Sequence, residues 1–464
     1  MSQTYAVILA AGQGTRMKSN KHKVLHPIGG KPMIEHIVRS MEQLGVDKIV
    51  VVVGYGAESV RRYLGDRVHY AMQQEPLGTG HAVRQAEEHL KGLPGSTLVI
   101  NGDNPLITVE TYRDFVRDFA DKGVAASMLT AVVDNPTGYG RVLRSHAGDV
   151  ERVVEEKDAS EEERKVREIN TGTFCFDNSK LFDALKKVNN DNAQGEYYLP
   201  DALRVLRKQG HRISAYRVRD ASETVGINNR IQLAEAEAIW RKRVLERHML
   251  EGVTIVDPNH TYIEADVEIG RDTTILPGTV LRGNTVIGEN CIIGPNADIR
   301  DCRIADGVTV EHSTLRESSV GSQSTVGPYA YVRPNSSIGE RVKIGDFVEV
   351  KNAVIGTGTK VSHLSYVGDA DLGESVNVGC GAVTVNYDGE RKWRTVVGNR
   401  SFIGCNANLI APVHIGCDTY IAAGSTITDD IPDDAFAIAR ERQTTKPEYA
   451  KKLRAKKANG GGKK

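Results

Sequence analysis

A chain of 464 residues is long enough for two domains, since single hydrophobic cores stop growing near about 250–300 residues. Its 60 Lys and Arg balance 60 Asp and Glu, so bulk charge gives no drive toward nucleic acid or an anionic membrane. No window approaches the ~20 apolar residues of a membrane span, and residues 1–5 lack the charged start of a secretory signal, so the cytoplasm is the expected compartment.

In chain order, residues 5–10 read as a buried strand ending in a glycine-rich turn. Residues 33–44 have helical spacing, 48–53 form a continuous apolar strand, 80–90 a helix, and 97–100 and 125–133 two further strands. Strands alternating with helices imply an α/β domain with a mostly parallel, doubly wound sheet. Ligands of such sheets bind outside the carboxyl ends of the strands, here residues 10–16, 54–56 and 101–103. Residues 229–250 read as one charged amphipathic helix that offers Ile231, Ala234, Ala238, Val244 and Leu245 for packing. The domain reading is 1–228, a linker helix 229–250, a repeat domain 251–440, and a basic tail 441–464. From 451 onward the tail is nearly free of apolar residues and is expected to be disordered.

The repeat domain announces itself by a six-residue beat from about Val267 to Ile427. Ile269, Ile275, Leu281, Ile287, Ile293 and Ile299 carry it first, then Val326, Val332, Ile338, Ile344 and Val350. It returns as Val397, Ile403, Leu409, Ile415, Ile421 and Ile427, and Pro432 is expected to end it. A period of six fits neither helix nor free strand; it fits a parallel β-helix with one inward aliphatic residue per face. Glycines follow several beats (Gly288, Gly294, Gly345, Gly404, Gly416) and are expected at corners that need positive φ. The beat shortens to five at Val350–Ile355 and Val367–Leu372, and it is lost between Val378 and Val397. Around these slips stand Arg333, Glu349, Lys351, His363, Tyr366, Asn377, Asn386 and Tyr387, a polar group that points to a site. His363 is the candidate base, because an imidazole can take a proton from an amine at neutral pH.

Six cysteines, Cys175, Cys291, Cys302, Cys380, Cys405 and Cys417, form no CxxC pair and read as reduced thiols. Cys291, Cys405 and Cys417 lie near hexad beats and are expected to be packing residues.

In the first domain the most specific motif is Leu9-Ala10-Ala11-Gly12-Gln13-Gly14-Thr15-Arg16-Met17, with Lys23 seven residues after Arg16. A strand ending in such a turn exposes N–H groups that cradle phosphates, and Arg16 and Lys23 supply positive charge for a polyphosphate. Asp103, after Asn101 and Gly102 at the end of another strand, is a sensible Mg²⁺ ligand opposite that loop.

These motifs resemble the sugar-nucleotide pyrophosphorylase family of nucleotidyltransferases. With the hexads attached, nearly all of the chain except the tail resembles the bacterial family of bifunctional N-acetylglucosamine-1-phosphate uridyltransferases and glucosamine-1-phosphate N-acetyltransferases. The resemblance implies a Rossmann-like first domain and a left-handed β-helix of hexapeptide repeats. It implies that Leu9, Ala10, Ala11 and Gly12 line the UTP site and that Gln73, Gly78 and Thr79 recognise uracil. Asn101 and Gly102 join the nucleotide site, Gly140, Glu155 and Asn170 the sugar site, and Asp103 with Asn228 the Mg²⁺ site. In the hexad half it makes His363 the base that activates the amine of glucosamine 1-phosphate. Arg333 and Lys351 then hold the sugar phosphate, and Tyr366 and Asn377 contact the sugar. Asn386 and Tyr387 match sugar-binding or base-orienting positions and join Cys380, Cys405, Ala423 and Arg440 at acetyl-CoA. Three departures stand out: His22 where many relatives place Pro, and Cys380 and Cys405 where relatives often have Ala and Ser. UTP and acetyl-CoA are the implied co-substrates, N-acetylglucosamine 1-phosphate is the implied intermediate, and a homotrimer the implied assembly. The alternative is a single-activity pyrophosphorylase with a structural or regulatory β-helix; the group around His363 discriminates, because a structural prism has no use for it.

Overall fold

A run such as Ile49-Val50-Val51-Val52-Val53 suits a strand covered on both faces. In the computed structural model, which describes residues 3–146 and 148–459, that run lies inside the sheet of the first of two units, Met1–Val244 and Leu245–Lys464. The strands are β1 (Thr4–Ala10), β2 (Lys48–Val53), β3 (His69–Met72), β4 (Ser96–Asn101), β5 (Ala126–Val132), β6 (Arg141–Arg144), β7 (Val150–Val154), β8 (Glu168–Asp177) and β9 (Ile213–Arg217). Their order is β9-β5-β8-β4-β1-β2-β3, with the β6–β7 hairpin attached to β8. Pairing is parallel except at β8 and within the hairpin, so the sheet is mostly parallel, as expected. Alternate residues of β1 serve two cores: Tyr5 and Val7 on one face, Ala6, Ile8 and Ala10 on the other. Helix Met33–Leu44 has the expected bounds, whereas the helix expected over 80–90 is two short ones, Thr79–Arg84 and Glu87–Leu90.

The helix Arg230–Leu250 forms where expected and buries Val244 and Leu245 as expected, but its first half presents a different face. Ile231, Ala234 and Ala238 are exposed, while Ala236, Leu233 and Trp240 pack with Ile28 and Met33. The Trp240 indole decides the rotation. It lies over Gly29, with no room there for a Cβ, and its ring centroid is 4.2 Å from that of His36.

Among the described residues, the second unit is a prism of three parallel sheets of 11, 10 and 9 strands. Each turn of the chain places one aliphatic residue on each inner face. The first face stacks Ile275, Ile293, Val310, Val326, Ile344, Val361, Val378, Ile403 and Ile421; all are buried. Coils begin earlier than the legible beat, at Thr254–Ile255, and the last strand is Phe436–Ala437, beyond Pro432. After Val378 the beat runs one step further than expected before it is lost. Thr384 takes the inward position between Val367 and Leu409, its hydroxyl bonded to the N–H of Gly368 at 2.8 Å and to its carbonyl at 2.9 Å. A loop around Asn386–Trp393 then bulges out before Val397 rejoins the third face.

The corner glycines do a different job from the one expected. Of the five after beats, only Gly294 has positive φ; the left-handed residue comes two positions later, at Asn290, Asn296, Phe347, Asn406 and Asp418. What forbids a side chain at Gly345 is the next coil, since a Cβ there would meet the Ser362 carbonyl oxygen at 1.9 Å. The basic tail also departs from expectation: Tyr449–Asn459 is helical, exposed through residue 457, and rich in good helix formers. Residues 460–464 lie outside the described residues. No helix among the described residues is long and apolar enough to cross a membrane.

Gly345→Ala is therefore expected to destabilise the prism by about 1–3 kcal/mol through overpacking. Ile344→Val, which removes one buried methylene, is expected to cost about 0.5–1.5 kcal/mol. Urea unfolding followed in the second unit measures both, and an unshifted midpoint for Gly345→Ala would contradict the close coil contact.

Candidate active sites

Parallel register places the first site. Leu9 stands opposite Val52 and Asn101, so the loops after β1, β2 and β4 leave the sheet at one edge. The β1 loop needs its glycine: Gly14 has φ 63°, and a Cβ there would lie 2.6 Å from the Lys23 Cβ. Lys23 can thus lie against the loop and reach across the edge. Its Nζ donates to Asp103 Oδ2 at 2.5 Å and to Asn228 Oδ1 at 2.7 Å, and Arg16 donates to the same Asn228 oxygen at 2.9 Å. Residues from three separate stretches of chain meet in this knot.

Two adjoining cavities of about 320 Å³ each flank it and share Thr79, Asn101, Asp103 and Glu196. One is walled by Leu9, Ala10, Ala11, Gly12, Lys23, Gln73 and Gly78. The other is walled by Arg16, Gly140, Glu155, Asn170 and Asn228. Of the residues expected here, Gly102 alone lies behind the wall, with its N–H bonded to the Leu9 carbonyl at 2.9 Å. Asn170 is aimed inward by a register shift between Asn170 and Phe174 in the β8–β5 pairing, a bulge that re-points the strand. Tyr139, Gln194, Glu196 and Tyr198 also line the second cavity, and no sequence motif marked them. Likewise unmarked is Arg141, only 1% exposed, whose guanidinium pairs with Glu156 at 2.7 Å and also bonds the Tyr139 carbonyl. His22 is buried against Gly56, and burial lowers the pKa of its imidazole.

The donor set fits a hard cation. The Asp103 carboxylate and Asn228 carbonyl oxygens both converge on one positive charge, the Lys23 ammonium, which stands in for it. No cluster of three or more His, Cys, Asp or Glu capable of holding a metal occurs among the described residues, so further oxygens would come from substrate phosphates and water.

The second site is a ridge. Asp346 pairs with His363 on the next coil, and their side chains meet at 2.6 Å (Oδ1 to Nδ1). Two positions beyond the beats Val378, Ile403 and Ile421, the same corner carries Cys380, Cys405 and Ala423 in successive coils. The Arg440 Cδ lies 3.8 Å from where a Cβ on Gly424 would sit, beside Ala423. The four residues expected at acetyl-CoA thus adjoin or continue the column that holds His363.

Around the neighbouring corner, Arg333 pairs with Glu349 at 2.7 Å, and Glu349 is in register with Tyr366. Asn386 donates to Asp369 and lies 3.4 Å from the Tyr366 hydroxyl, while Asn352 donates to the other Asp369 oxygen at 2.5 Å. Burial alone would raise the Asp369 pKa, but these amides and the charges of Lys351 and Lys392 carry it below the usual value. Lys351 in turn lowers the pKa of Lys392, so two ammonium groups are held close together. Asn377 stands apart on the first face, in register with Lys360 and Phe402, and Tyr387 opens the inserted loop, 56% exposed. Asp346, Asp369 and Lys392 escaped the sequence reading, because each acquires its role only when coils stack. Cys405, expected as packing, is exposed, as is Cys380.

Two family models match the chain: nucleotidyl transferase over residues 5–240, and bacterial transferase hexapeptide (six repeats) over 266–300 and 317–352. The latter repeats identify the prism as a left-handed β-helix. A protein named Bifunctional protein GlmU from Geobacillus sp. (strain WCH70) is 56% identical over 457 residues, covering 98% of this chain and 100% of that protein. Proteins of the same name from Oceanobacillus iheyensis and Listeria monocytogenes serotype 4b are 55% and 52% identical, each covering 98% of this chain and 100% and 99% of their own length.

In the cavity walled by Arg16, Glu155 and Asn170, burial and then the neighbouring Asp158 and Asp201 raise the Glu155 pKa above the usual carboxylate value. A raised folded pKa means that ionising Glu155 costs stability. The cost is absent below about pH 4, where the unfolded state also holds the proton, and grows as pH rises through the raised folded pKa. Glu155→Gln should therefore be more stable than the parent at pH 7.5, with the gap closing at pH 4. Equal melting temperatures at pH 7.5 would argue against the buried charge.

Proposed function

This chain belongs to the bifunctional GlmU family, and on that premise we propose how its two units divide the making of UDP-N-acetylglucosamine. The hexapeptide unit acetylates glucosamine 1-phosphate from acetyl-CoA. The nucleotidyltransferase unit then transfers UMP from UTP to the N-acetylglucosamine 1-phosphate formed, releasing pyrophosphate. The observation that carries this division is that two unlike constellations stand on two units: the Lys23–Asp103–Asn228 knot on one and the His363–Asp346 ridge on the other.

In uridyl transfer a phosphate oxygen of the sugar attacks the α-phosphorus of UTP in line. No protein nucleophile is needed, so positioning and charge neutralisation dominate. Leu9, Ala10, Ala11 and Gly12 line the nucleotide cavity, with Gln73, Gly78 and Thr79 at the uracil end. Gly140, Glu155 and Asn170 hold the sugar, while Arg16 and Lys23 offset phosphate charge. Asp103 and Asn228 are the ligands for Mg²⁺, which when bound would supply Lewis-acid neutralisation of the phosphates.

In acetyl transfer the bond to Asp346 assigns the His363 proton to Nδ1 and leaves Nε2 as the base. Nε2 takes a proton from the sugar amine as its nitrogen attacks the thioester carbonyl. The C–S bond then breaks, and the imidazolium returns the proton to the coenzyme A thiolate. Arg333, Lys351 and Lys392 hold the sugar phosphate; the close Lys351 and Lys392 ammonium groups suit an anion between them. Tyr366 and Asn386 orient the sugar, and Tyr387, Cys380, Cys405, Ala423 and Arg440 face acetyl-CoA; Asn377, on the first face, lies outside that group.

The assembly we propose is a homotrimer. The exposed Tyr329, Phe347 and Leu364, each 58–60% accessible beside Asp346 and His363, favour cover by another subunit. The proposed compartment is the cytoplasm, which suits six unpaired thiols.

His363→Ala is expected to abolish acetyl-CoA-dependent thiol release while sparing pyrophosphate release from UTP, and Asp103→Ala to do the reverse. Loss of both activities from either substitution would sink the division. Asp346→Asn, which leaves His363 without its carboxylate, should slow acetylation about 10²-fold. EDTA should stop pyrophosphate release and leave thiol release intact; metal-independent uridyl transfer would rule out the Asp103–Asn228 assignment.

A further inference from the structure

We propose that Cys380 and Cys405 form a reversible dithiol switch on the acetyl-transfer ridge. Register carries the geometry. Val378 pairs with Ile403, a Cβ on Gly381 would meet the Asn406 side chain at 2.2 Å, and the Asn406 N–H bonds the Cys380 carbonyl at 2.8 Å. Cys380 and Cys405 are therefore directly opposed on adjacent coils. Parallel neighbours lie about 4.8 Å apart, inside the roughly 4.4–6.8 Å window of Cα separations that a disulfide spans. Both side chains are exposed, whereas Cys175, Cys291 and Cys302 are buried and Cys417 is half-buried. Cys417 stands elsewhere: it follows Ile415 on the third face, and a Cβ on Gly398 would meet its backbone nitrogen at 2.5 Å. Among the six thiols, only Cys380 and Cys405 combine exposure with direct opposition.

The chemistry is thiol–disulfide exchange with a low-molecular-weight disulfide, RS–SR. One cysteine thiolate attacks a sulfur of RS–SR, a protein–S–SR bond forms, and RS⁻ leaves to take up a proton. The second thiolate attacks the protein sulfur of that mixed disulfide, the Cys380–Cys405 bond forms, and a second RSH leaves. Two protein thiols are oxidised and one disulfide is reduced to two thiols. Coenzyme A disulfide is the apt oxidant, because coenzyme A thiol is the product released at this ridge. Cys380 occupies the position on the coil next to that of His363, so closure joins two acetyl-CoA positions beside the base. That consequence rests on the acetyl-CoA assignment proposed above; the dithiol itself does not.

The test treats the full-length protein with coenzyme A disulfide and follows thiol titre, peptide mass and both activities. The expected result is loss of two titratable thiols, a Cys380–Cys405 cross-linked peptide about 2 Da lighter than its reduced parts, and at least a tenfold fall in acetyl transfer. Uridyl transfer should not change, and a thiol reductant should restore acetyl transfer. In Cys380→Ala and Cys405→Ser, whatever their basal rates, the ratio of oxidised to reduced acetylation should stay near one. A cross-link to Cys417, or only mixed disulfides with coenzyme A, would overturn the dithiol. A Cys380–Cys405 cross-link with undiminished acetylation would keep the dithiol, refute the switch, and count against the acetyl-CoA assignment. Dibromobimane, which bridges neighbouring thiols, gives an independent check: failure to link this pair refutes the proposed proximity.

Discussion

Parallel strand register is the constraint on which both units depend. A hydrogen-bonded parallel ladder fixes which residues stand side by side, and a slip of one residue would turn every side chain to the other face. In the sheet it aligns the ends of β1, β2 and β4, so that Ala11, Gly54 and Gly102 begin loops at one edge. In the prism it turns residues 17 to 25 positions apart into columns such as Asp346, His363, Cys380 and Cys405. The glycines that follow the beats serve this stacking, because the next coil leaves no room for a Cβ.

On this frame charge is concentrated in few places. Lys23, whose side chain is 13% exposed, sits between Asp103 and Asn228 with Arg16 beside them. Lys351 and Lys392 are held close despite their repulsion, with Asp369 as counter-charge fixed by Asn352 and Asn386. Cations gathered this way are preorganised for phosphate, the group common to UTP and both sugar phosphates. The chain as a whole remains neutral, so this is local electrostatics rather than a global field.

Local signals were legible in proportion to how locally they are made. The strand into the Gly12–Gly14 loop, the helix Met33–Leu44 and the hexads are written in neighbouring residues, and they appear where the pattern places them. Local spacing marks Val244 and Leu245 of the helix Arg230–Leu250 as buried but not the face of its first half, since the packing of Trp240 on Gly29 and His36 is a contact across some two hundred residues. Thr384 hid the beat after Val378 because its hydroxyl satisfies itself on the Gly368 backbone and so tolerates an inward position. The positive φ expected at the glycines moved two residues on, to Asn290, Asn406 and Asp418, because coil contact already claimed the glycine.

Pattern alone settled the two architectures and the phosphate loop with Arg16 and Lys23, because periodicity and turn chemistry act over a few residues. It also placed His363 among polar neighbours at a break in the beat. Which carboxylate orients His363, which ammonium faces Lys351, and that Cys380 opposes Cys405 came only from the stacked coils. Those partners lie 17, 41 and 25 positions apart in sequence: the register of one coil on the next brings the first and third pairs within reach, and the loop that bulges out after Val385 brings Lys392 to Lys351.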